Sequence, residues 1–347
     1  MLRFLHLGLI LLTVAAYLPP LINPDYFWPI ATLGLLAPTL WFLTLLFGVY
    51  WFLRGDKAWW LSGITLLLGL EMMSAAFALP GGAGPAGDEK IRVATLNGHG
   101  FREEATAAGT KKHDFAIQFI DSLQVDILCL QEFQTGKSGD QLAQAIQSQT
   151  PLKYAFRNSE GRLALFSRYP LSNGKTNYFQ NRVNGYLYAD VTAPTGSIRV
   201  FVVHLQTNGI STLATEVARE RNLQEKKTWQ KVKTMFGRYG RSNRTRTHQA
   251  EEILQAVQSS SLPVVVCGDF NDVPTSYLYR LFRAELQDAQ SVASWGLGTT
   301  FPGLIPGLRI DYILPQTAFQ VADYKRINCS FSDHRAIRAI LSPRLNQ

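Results

Sequence analysis

The stretch Val264-Val265-Val266-Cys267-Gly268-Asp269-Phe270-Asn271-Asp272 runs four apolar residues straight into an acidic turn. A short apolar run bounded by turn-forming residues reads as a buried strand, and the polar groups behind it fall where a rigid sheet presents side chains at its edge. A second string, Ser332-Asp333-His334, sets a histidine-bearing loop just ahead of another apolar run. Carboxylate, carboxamide and imidazole together suit metal-assisted attack on a phosphate ester. Hydrolysis is therefore the leading expectation.

Working outward, apolar runs of strand length recur at 91–96, 126–130, 163–166, 186–191, 198–204, 263–267, 310–314 and 336–341. Helical spacing of three and four separates some of them, as in Phe115, Phe119, Ile120 and Leu123, and in Ala250, Ile253, Leu254 and Val257. Many strands with a few long helices predict an α/β domain of two packed sheets with helices outside. Most polar candidates sit at strand ends.

The first eighty residues differ in composition from the rest. They carry three basic side chains (Arg3, Arg54, Lys57) and three acidic ones (Asp25, Asp56, Glu71), so the formal +8 of the 347-residue chain lies wholly downstream. No charge falls between Asp25 and Arg54, a stretch longer than the roughly 20 apolar residues needed to cross a bilayer. Residues 5–21 and 58–79 are similar, the first weakened by Pro19-Pro20 and the second interrupted by Glu71. About three membrane helices are expected in residues 1–80. A cleavable signal followed by a core helix competes with this, but a signal explains only the first segment.

The first connection, Asn23-Pro24-Asp25, has no basic residue, whereas Arg54-Gly55-Asp56-Lys57 has two. The positive-inside rule places the second connection, with Arg3, in the cytoplasm, so the third helix delivers everything after residue 80 to the opposite side. In a bacterium this is an inner-membrane protein with a periplasmic or external domain. Glu71 is costly inside a membrane and is either functional there or packed among the helices.

Residues 81–90 form a Gly/Pro-rich linker, and 91–343 suit one large α/β domain. Within it, 216–248 is a densely basic insertion set around Trp229, Val232, Met235 and Phe236. Cations beside aromatics bind an anionic membrane surface or a nucleic-acid backbone, while a plain solvated helix face gives the same pattern. Cys129, Cys267 and Cys329 lack Cys-x-x-Cys spacing and are odd in number, which argues against a disulfide framework or a zinc site and points to packing.

Taken singly, the polar candidates are ambiguous. Asn97 precedes Gly98 and reads as a turn residue. Glu132 ends an apolar run, as an Mg²⁺ ligand or an ordinary exposed carboxylate would. His204 closes another run, and a lone histidine there is more often structural. Asp269, Asn271 and Asp272 are too concentrated for a capped turn alone. Asp311 interrupts an apolar strand and needs a partner to justify burial, for which His334 is available. Arg168, before Tyr169-Pro170, reads as structural.

Taken in order, Thr95-Leu96-Asn97, Leu130-Gln131-Glu132, Leu165-Phe166-Ser167-Arg168-Tyr169-Pro170, Val203-His204-Leu205, Gly268-Asp269-Phe270-Asn271, Arg309-Ile310-Asp311-Tyr312 and Ser332-Asp333-His334 resemble the endonuclease/exonuclease/phosphatase superfamily, the deoxyribonuclease I-like group. The resemblance covers essentially all of 91–341. It implies a four-layer sandwich of two mixed sheets flanked by helices, here preceded by the transmembrane region, and an Mg²⁺-dependent phosphoesterase, with Mn²⁺ as a substitute. It assigns metal binding to Glu132, Asn97 and Asp333. It gives Asp269 the attacking water, Asn271 the scissile phosphate, and Asp311 the pairing of His334, which acts as base or charged stabiliser. His204 contacts the phosphate or assists the leaving group, and water activation stays open between Asp269 and His334.

The expected protein is thus a membrane-anchored monomer hydrolysing a phosphate ester, a lipid head group or a nucleic acid. The alternative, a catalytically inactive module that tethers lipid or nucleic acid, should have lost a catalytic side chain. None is missing.

Overall fold

The computed structural model describes residues 1–79, 81–84, 89–101, 113–180, 183–207, 226–303 and 307–344. Contacts divide the chain into two units: one holds Met1–Phe77, Asn208–His248 and Asp272–Leu281, the other Ala78–Thr207, Gln249–Asn271 and Phe282–Gln347. Of the 81–90 linker, residue 85 to residue 88 lie outside the described residues, as do 216–225 of the basic segment.

The larger unit contains two mixed sheets. Strands β1 (Ile91–Asn97), β2 (Ile127–Gln131), β3 (Tyr154–Arg157), β4 (Ala164–Ser167), β10 (Phe319–Ile327) and β11 (Ala336–Pro343) form a six-stranded sheet in the order β10-β11-β1-β2-β4-β3. Strands β5 (Leu171–Tyr178), β6 (Gly185–Ala193), β7 (Gly196–His204), β8 (Val264–Asp269) and β9 (Asp311–Pro315) form the second in sequence order. Pairing is parallel for β1 with β2 and for β7 with β8, and antiparallel elsewhere.

Strand periodicity of two sorts the side chains into layers. Ile91, Val93, Ile127, Cys129 and Leu165 face Val200, Val202, Val265, Cys267 and Ile313 in the core between the sheets. The alternate residues Ala94, Leu96, Leu128, Leu130 and Phe166 pack under helices α6 (Asp114–Ser122) and α7 (Gly136–Gln149), with Ile120, Leu142 and Ile146. On the second sheet, the Tyr186 hydroxyl donates to Glu252 at 3.3 Å from the end of helix α8 (Lys226–Gln258), whose Ala250, Ile253 and Val257 are buried. Helix, sheet, sheet and helix make the four layers. Cys129 and Cys267 are buried between the sheets and Cys329 is half-buried, all three as free thiols.

Three strands escape a search for apolar runs: β3, β5 and β10 are all at sheet edges. An edge strand has one neighbour and often one wet face, so it carries polar residues, as β5 does in Leu171-Ser172-Asn173-Gly174-Lys175. Phe115, expected on the buried face of α6, is 45% exposed; Ala116, Ile117 and Ile120 are buried there instead.

Gly268 has φ +149°, and a Cβ there would lie 1.9 Å from the Val203 carbonyl oxygen, so the approach of β8 to β7 requires glycine. Further along, α9 (Tyr277–Glu285) and α10 (Ala289–Ala293) lead back toward β9. Asp288 caps α10 by accepting from the Gln290 amide, and its other oxygen pairs with Arg309 at 2.5 Å, both side chains being 1% exposed. Asp288→Ala strands a buried guanidinium, and a loss of about 3–5 kcal/mol is expected, read as a lowered melting temperature of the full chain.

The smaller unit holds α1 (Leu2–Ala15), α2 (Pro24–Phe27), α3 (Ala31–Leu53), α4 (Trp59–Leu68) and α5 (Leu70–Ala76). Among the described residues, one helical stretch, Pro24–Leu53, is long and apolar enough to cross a membrane; α4 and α5 add a second if the pair, bent by 63°, is one span. The third apolar stretch, α1, has only 14 residues. Small and hydroxylated residues join the helices: His6 Nε2 lies 2.7 Å from Ser62 Oγ, Thr13 and Thr44 hydroxyls are 2.9 Å apart, and Tyr17 donates to the Thr65 carbonyl at 3.0 Å. Arg3 pairs with Asp56 at 2.6 Å, so Arg3 meets the Arg54–Lys57 connection. Glu71 is exposed in the first turn of α5.

The same unit takes in α8 as far as His248. The basic segment is therefore continuous with the apolar-patterned helix after it, a single helix of 33 residues.

Candidate active site

The alternation that fills the inter-sheet core continues past its apolar rows. On β1 the inward positions are Ile91, Val93, Thr95 and Asn97; on β7 they end at His204, on β8 at Asp269, and on β9 they begin at Asp311. Register aligns the last three, with His204 opposite Asp269 and Asp269 opposite Asp311. Between these groups and the apolar core, Thr95 and Gln131 hydrogen-bond each other at 3.0–3.2 Å, which satisfies their burial. The site is the polar end of the space between the sheets.

Asp269, 1% exposed, is the hub. Its Oδ2 accepts from Asn97 Nδ2 at 3.0 Å and lies 3.7 Å from His204 Nε2 and 3.9 Å from His334 Nε2. Its Oδ1 accepts the Asn271 amide at 2.8 Å, and Asn271 Nδ2 donates to the Leu205 carbonyl at 3.1 Å. Asn271 has φ +52°, a left-handed turn that an asparagine tolerates and that folds the strand end back on itself. Burial raises the Asp269 carboxyl above the usual carboxylate range, and the Asp311 charge pushes the same way against His334, His204 and Asn97.

Asp311 and His334 form a buried pair, with His334 Nδ1 at 3.0 and 3.2 Å from the two carboxylate oxygens. Burial alone lowers the imidazole pKa. The charge and hydrogen bond of Asp311, helped by Asp269 and Asp333, outweigh it and lift the pKa to about 10. His334 is an imidazolium at neutral pH, with Nε2 turned to Asp269.

Glu132 follows the last residue of β2 with φ +52°, and this reversal brings its carboxylate to Asn97 Nδ2 at 3.2 Å. Asp333, 46% exposed, reaches the same place through His99: the His99 Nδ1 is 3.4 Å from Asp333 and 4.0 Å from Glu132. Two carboxylates thus converge on the His99 ring beside a carboxamide. Such hard oxygen donors, partly open to water, fit a hard divalent cation. Asp269, Asp311 and His334 also lie close enough to share an ion, their ligand atoms being within 4.8 Å of one another. Because Asp311 and His334 already satisfy each other there, the more open Glu132–Asp333 position is the better fit.

Eight of the residues singled out from the sequence, Asn97, Glu132, His204, Asp269, Asn271, Asp311, Asp333 and His334, join one network, whereas Asp272 accepts from the Tyr239 hydroxyl at 2.8 Å. Arg168 is outside it and pairs with Asp126 at 3.2 Å, beside Arg92. Four further residues support the site. His99 bridges Glu132 and Asp333. Ser332 donates to the Asn97 carbonyl at 2.6 Å and accepts the His334 amide at 3.0 Å, tying that loop to β1. Thr300 Oγ1 accepts the amides of Ile310 and Asp311, and the Phe301 ring stands edge-on to His334 at 4.9 Å. His99, two residues beyond Asn97, was legible as the next polar residue of the same strand end; Thr300 and Phe301 lie in irregular chain that carries no periodic signal.

A family model described as Endonuclease/Exonuclease/phosphatase family matches residues 94–334, and a Domain of unknown function (DUF8431) matches residues 1–76. No curated protein matches the sequence. Among solved structures, an endonuclease/exonuclease/phosphatase from Beutenbergia cavernae superposes with a TM-score of 0.50 at 20% identity, covering 73% of this chain and 72% of that one. One from Leptotrichia buccalis gives 0.51 at 16% identity over 73% and 99%, and one from Bacteroides vulgatus 0.50 at 17% identity over 74% and 100%. At these identities the likeness is one of fold.

Proposed function

The chain belongs to the Endonuclease/Exonuclease/phosphatase family through residues 94–334, and on that premise we propose that it is a membrane-anchored, Mg²⁺-dependent phosphodiesterase acting on a lipid head group or a nucleic acid. The observation that carries this reading is the buried His334–Asp311 pair at 3.0 Å, with His334 Nε2 3.9 Å from the buried Asp269 carboxylate. A cationic donor and a base side by side are what hydrolysis of an anionic ester requires.

In this mechanism Asp269 orients the attacking water and takes its proton, helped by the raised affinity of its carboxyl for a proton. Asn271 donates to a phosphate oxygen. His334 offsets the negative charge that grows on the phosphorus oxygens, and Asp311 keeps it charged. His204, beside Asp269, contacts the phosphate or assists the departing oxygen. Glu132, Asn97 and Asp333 would hold the divalent ion, Mg²⁺ or in its place Mn²⁺, which would supply Lewis-acid stabilisation of phosphate and leaving-group charge.

The anchor is α3 with its flanking helices, and the catalytic domain is assigned to the periplasmic or extracellular side. Arg3, Arg54 and Lys57 support this orientation, since the Arg3–Asp56 pair brings them to one end of the helices and basic connections stay cytoplasmic. By sequence the proposed division is residues 1–80, a linker at 81–90 and a catalytic part at 91–343; by contacts, 208–248 and 272–281 join the compact unit of the N-terminal helices.

The full chain in detergent should hydrolyse bis(p-nitrophenyl) phosphate or a natural diester with added Mg²⁺, stop when a chelator is added and recover with fresh metal. Glu132→Ala should demand far more Mg²⁺ for the same rate. Turnover indifferent to chelator would overturn the metal assignment, and no turnover on any phosphodiester or phosphomonoester with metal bound would overturn the enzyme.

A further inference from the structure

The basic helix and the turn before α3 meet within the smaller unit, and the inner side of that helix fixes what its outer side presents. Tyr239, Asn243, Arg246 and Thr247 are buried. Tyr239 donates to Asp272 at 2.8 Å and Arg246 approaches the same carboxylate at 3.5 Å, so this face is committed to protein. Gly240 belongs to it as well: a Cβ there would lie 2.1 Å from the Trp28 ring, so only glycine lets the turn come this close. With that side locked, Arg238, Arg241, Arg244 and His248, spaced three and four apart, are left exposed on the outside.

Three guanidinium groups from two segments reach the turn between Pro20 and Trp28. Arg244 Nε donates to Asp25 at 3.1 Å, Arg241 stands over the Trp28 ring at 5.8 Å, and Arg280 Nη1 donates to the Pro20 carbonyl at 3.2 Å. All three are exposed, and each has five N–H donors, so most of their donors remain open to solvent. Asp25 is also 3.0 Å from His248 and offsets one positive charge, which leaves the three arginines and this carboxylate at about +2. Next to them Tyr26 is 89% and Phe27 53% exposed, and the apolar stretch Pro24–Leu53 begins at the same turn.

We propose that Arg241, Arg244 and Arg280 form a seat for the phosphate of an anionic phospholipid head group. This rests on the membrane reading above. Exposed aromatic rings at the end of an apolar helix belong at the head-group level of a bilayer, where arginines meet lipid phosphate. A nucleic-acid strand fits less well, because its regular row of phosphates would run past the Asp25 carboxylate and find no use for the exposed rings.

The test uses the full chain reconstituted in phosphatidylcholine vesicles with or without phosphatidylglycerol, followed by gentle extraction and measurement of the lipids that stay bound. Phosphatidylglycerol should be enriched over its bulk share, and the enrichment should fall roughly tenfold in R241Q/R244Q/R280Q. The charge-keeping R241K/R244K/R280K should retain part of it. Turnover of a soluble diester should not change in either variant, which also verifies folding. Equal enrichment in parent and glutamine variant overturns the proposal, as does displacement of nothing but inorganic phosphate from the three arginines. Loss of duplex-DNA binding in the glutamine variant with lipid retention unchanged assigns the site to nucleic acid instead. If the parent fails to float with vesicles of either composition, the membrane reading falls and takes this proposal with it, whereas floating without lipid preference removes the seat alone.

Discussion

Asp269→Ala is expected to reduce kcat on a phosphodiester by about 10²- to 10⁴-fold, the usual contribution of a positioned base. No other group at the site duplicates its geometry: one oxygen reaches Asn97 and faces both histidines, and the other fixes the Asn271 amide. Removing it therefore takes away the base and loosens a phosphate donor at once. Asp269→Asn keeps the shape and the neutral contacts but cannot accept a proton. If Asp269 is the base, the asparagine variant falls nearly as far as the alanine variant; near-parental turnover in Asp269→Asn would move water activation to His334. Circular dichroism of both variants should match the parent.

His334→Ala comes next, with an expected loss of about 10²- to 10³-fold, as for other donors that meet charge developing in a transition state. Asp311→Asn is more informative because it leaves the imidazole in place. In the parent, burial works against the charged ring and Asp311 overcomes it, bringing the pKa to about 10. Without that carboxylate only Asp269 and Asp333 oppose the effect of burial, and the ring should lose its proton at markedly lower pH. The alkaline limb of the pH–rate profile should accordingly move from near pH 10 to much lower pH. The linked stability has a definite sign: the folded pKa lies above the unfolded one, so the pair contributes fully below about pH 6.5 and its contribution is lost as pH rises through about 10. A profile with the same alkaline limb in Asp311→Asn would show that His334 is not the titrating group.

What the sequence revealed depended on burial. Strands enclosed on both faces, such as β2 and β8, announce themselves as apolar runs, and the site residues stand at their ends. Edge strands β3, β5 and β10 do not, because half of what they need is water or a single neighbour. Asp311 was legible for the opposite reason: a carboxylate in an apolar strand demands a partner, and the His334 it called for is 3.0 Å away. The Thr300 and Phe301 supports were not legible, since they depend on where an irregular loop returns in space. The basic segment was legible as a membrane-surface site, a nucleic-acid site or a plain wet face, but its partners were not: contacts of Arg241 and Arg244 with Trp28 and Asp25 are 213 and 219 positions apart in sequence and leave no local trace.

The odd-numbered rungs of β8 supply both apolar filling and Asp269, while the even-numbered rungs of β7 do the same for His204. Chemistry here keeps time with packing, so each strand behaves like a reading frame. Deleting one residue from the body of β8 would be a frameshift in space: Asp269 would turn to the outer helix layer and a neighbour would take its place inside. Lengthening a loop beyond the strand ends leaves the frame intact. Recognition can thereby be retuned through the connections, while the spacing within each strand answers to the core and the reaction together.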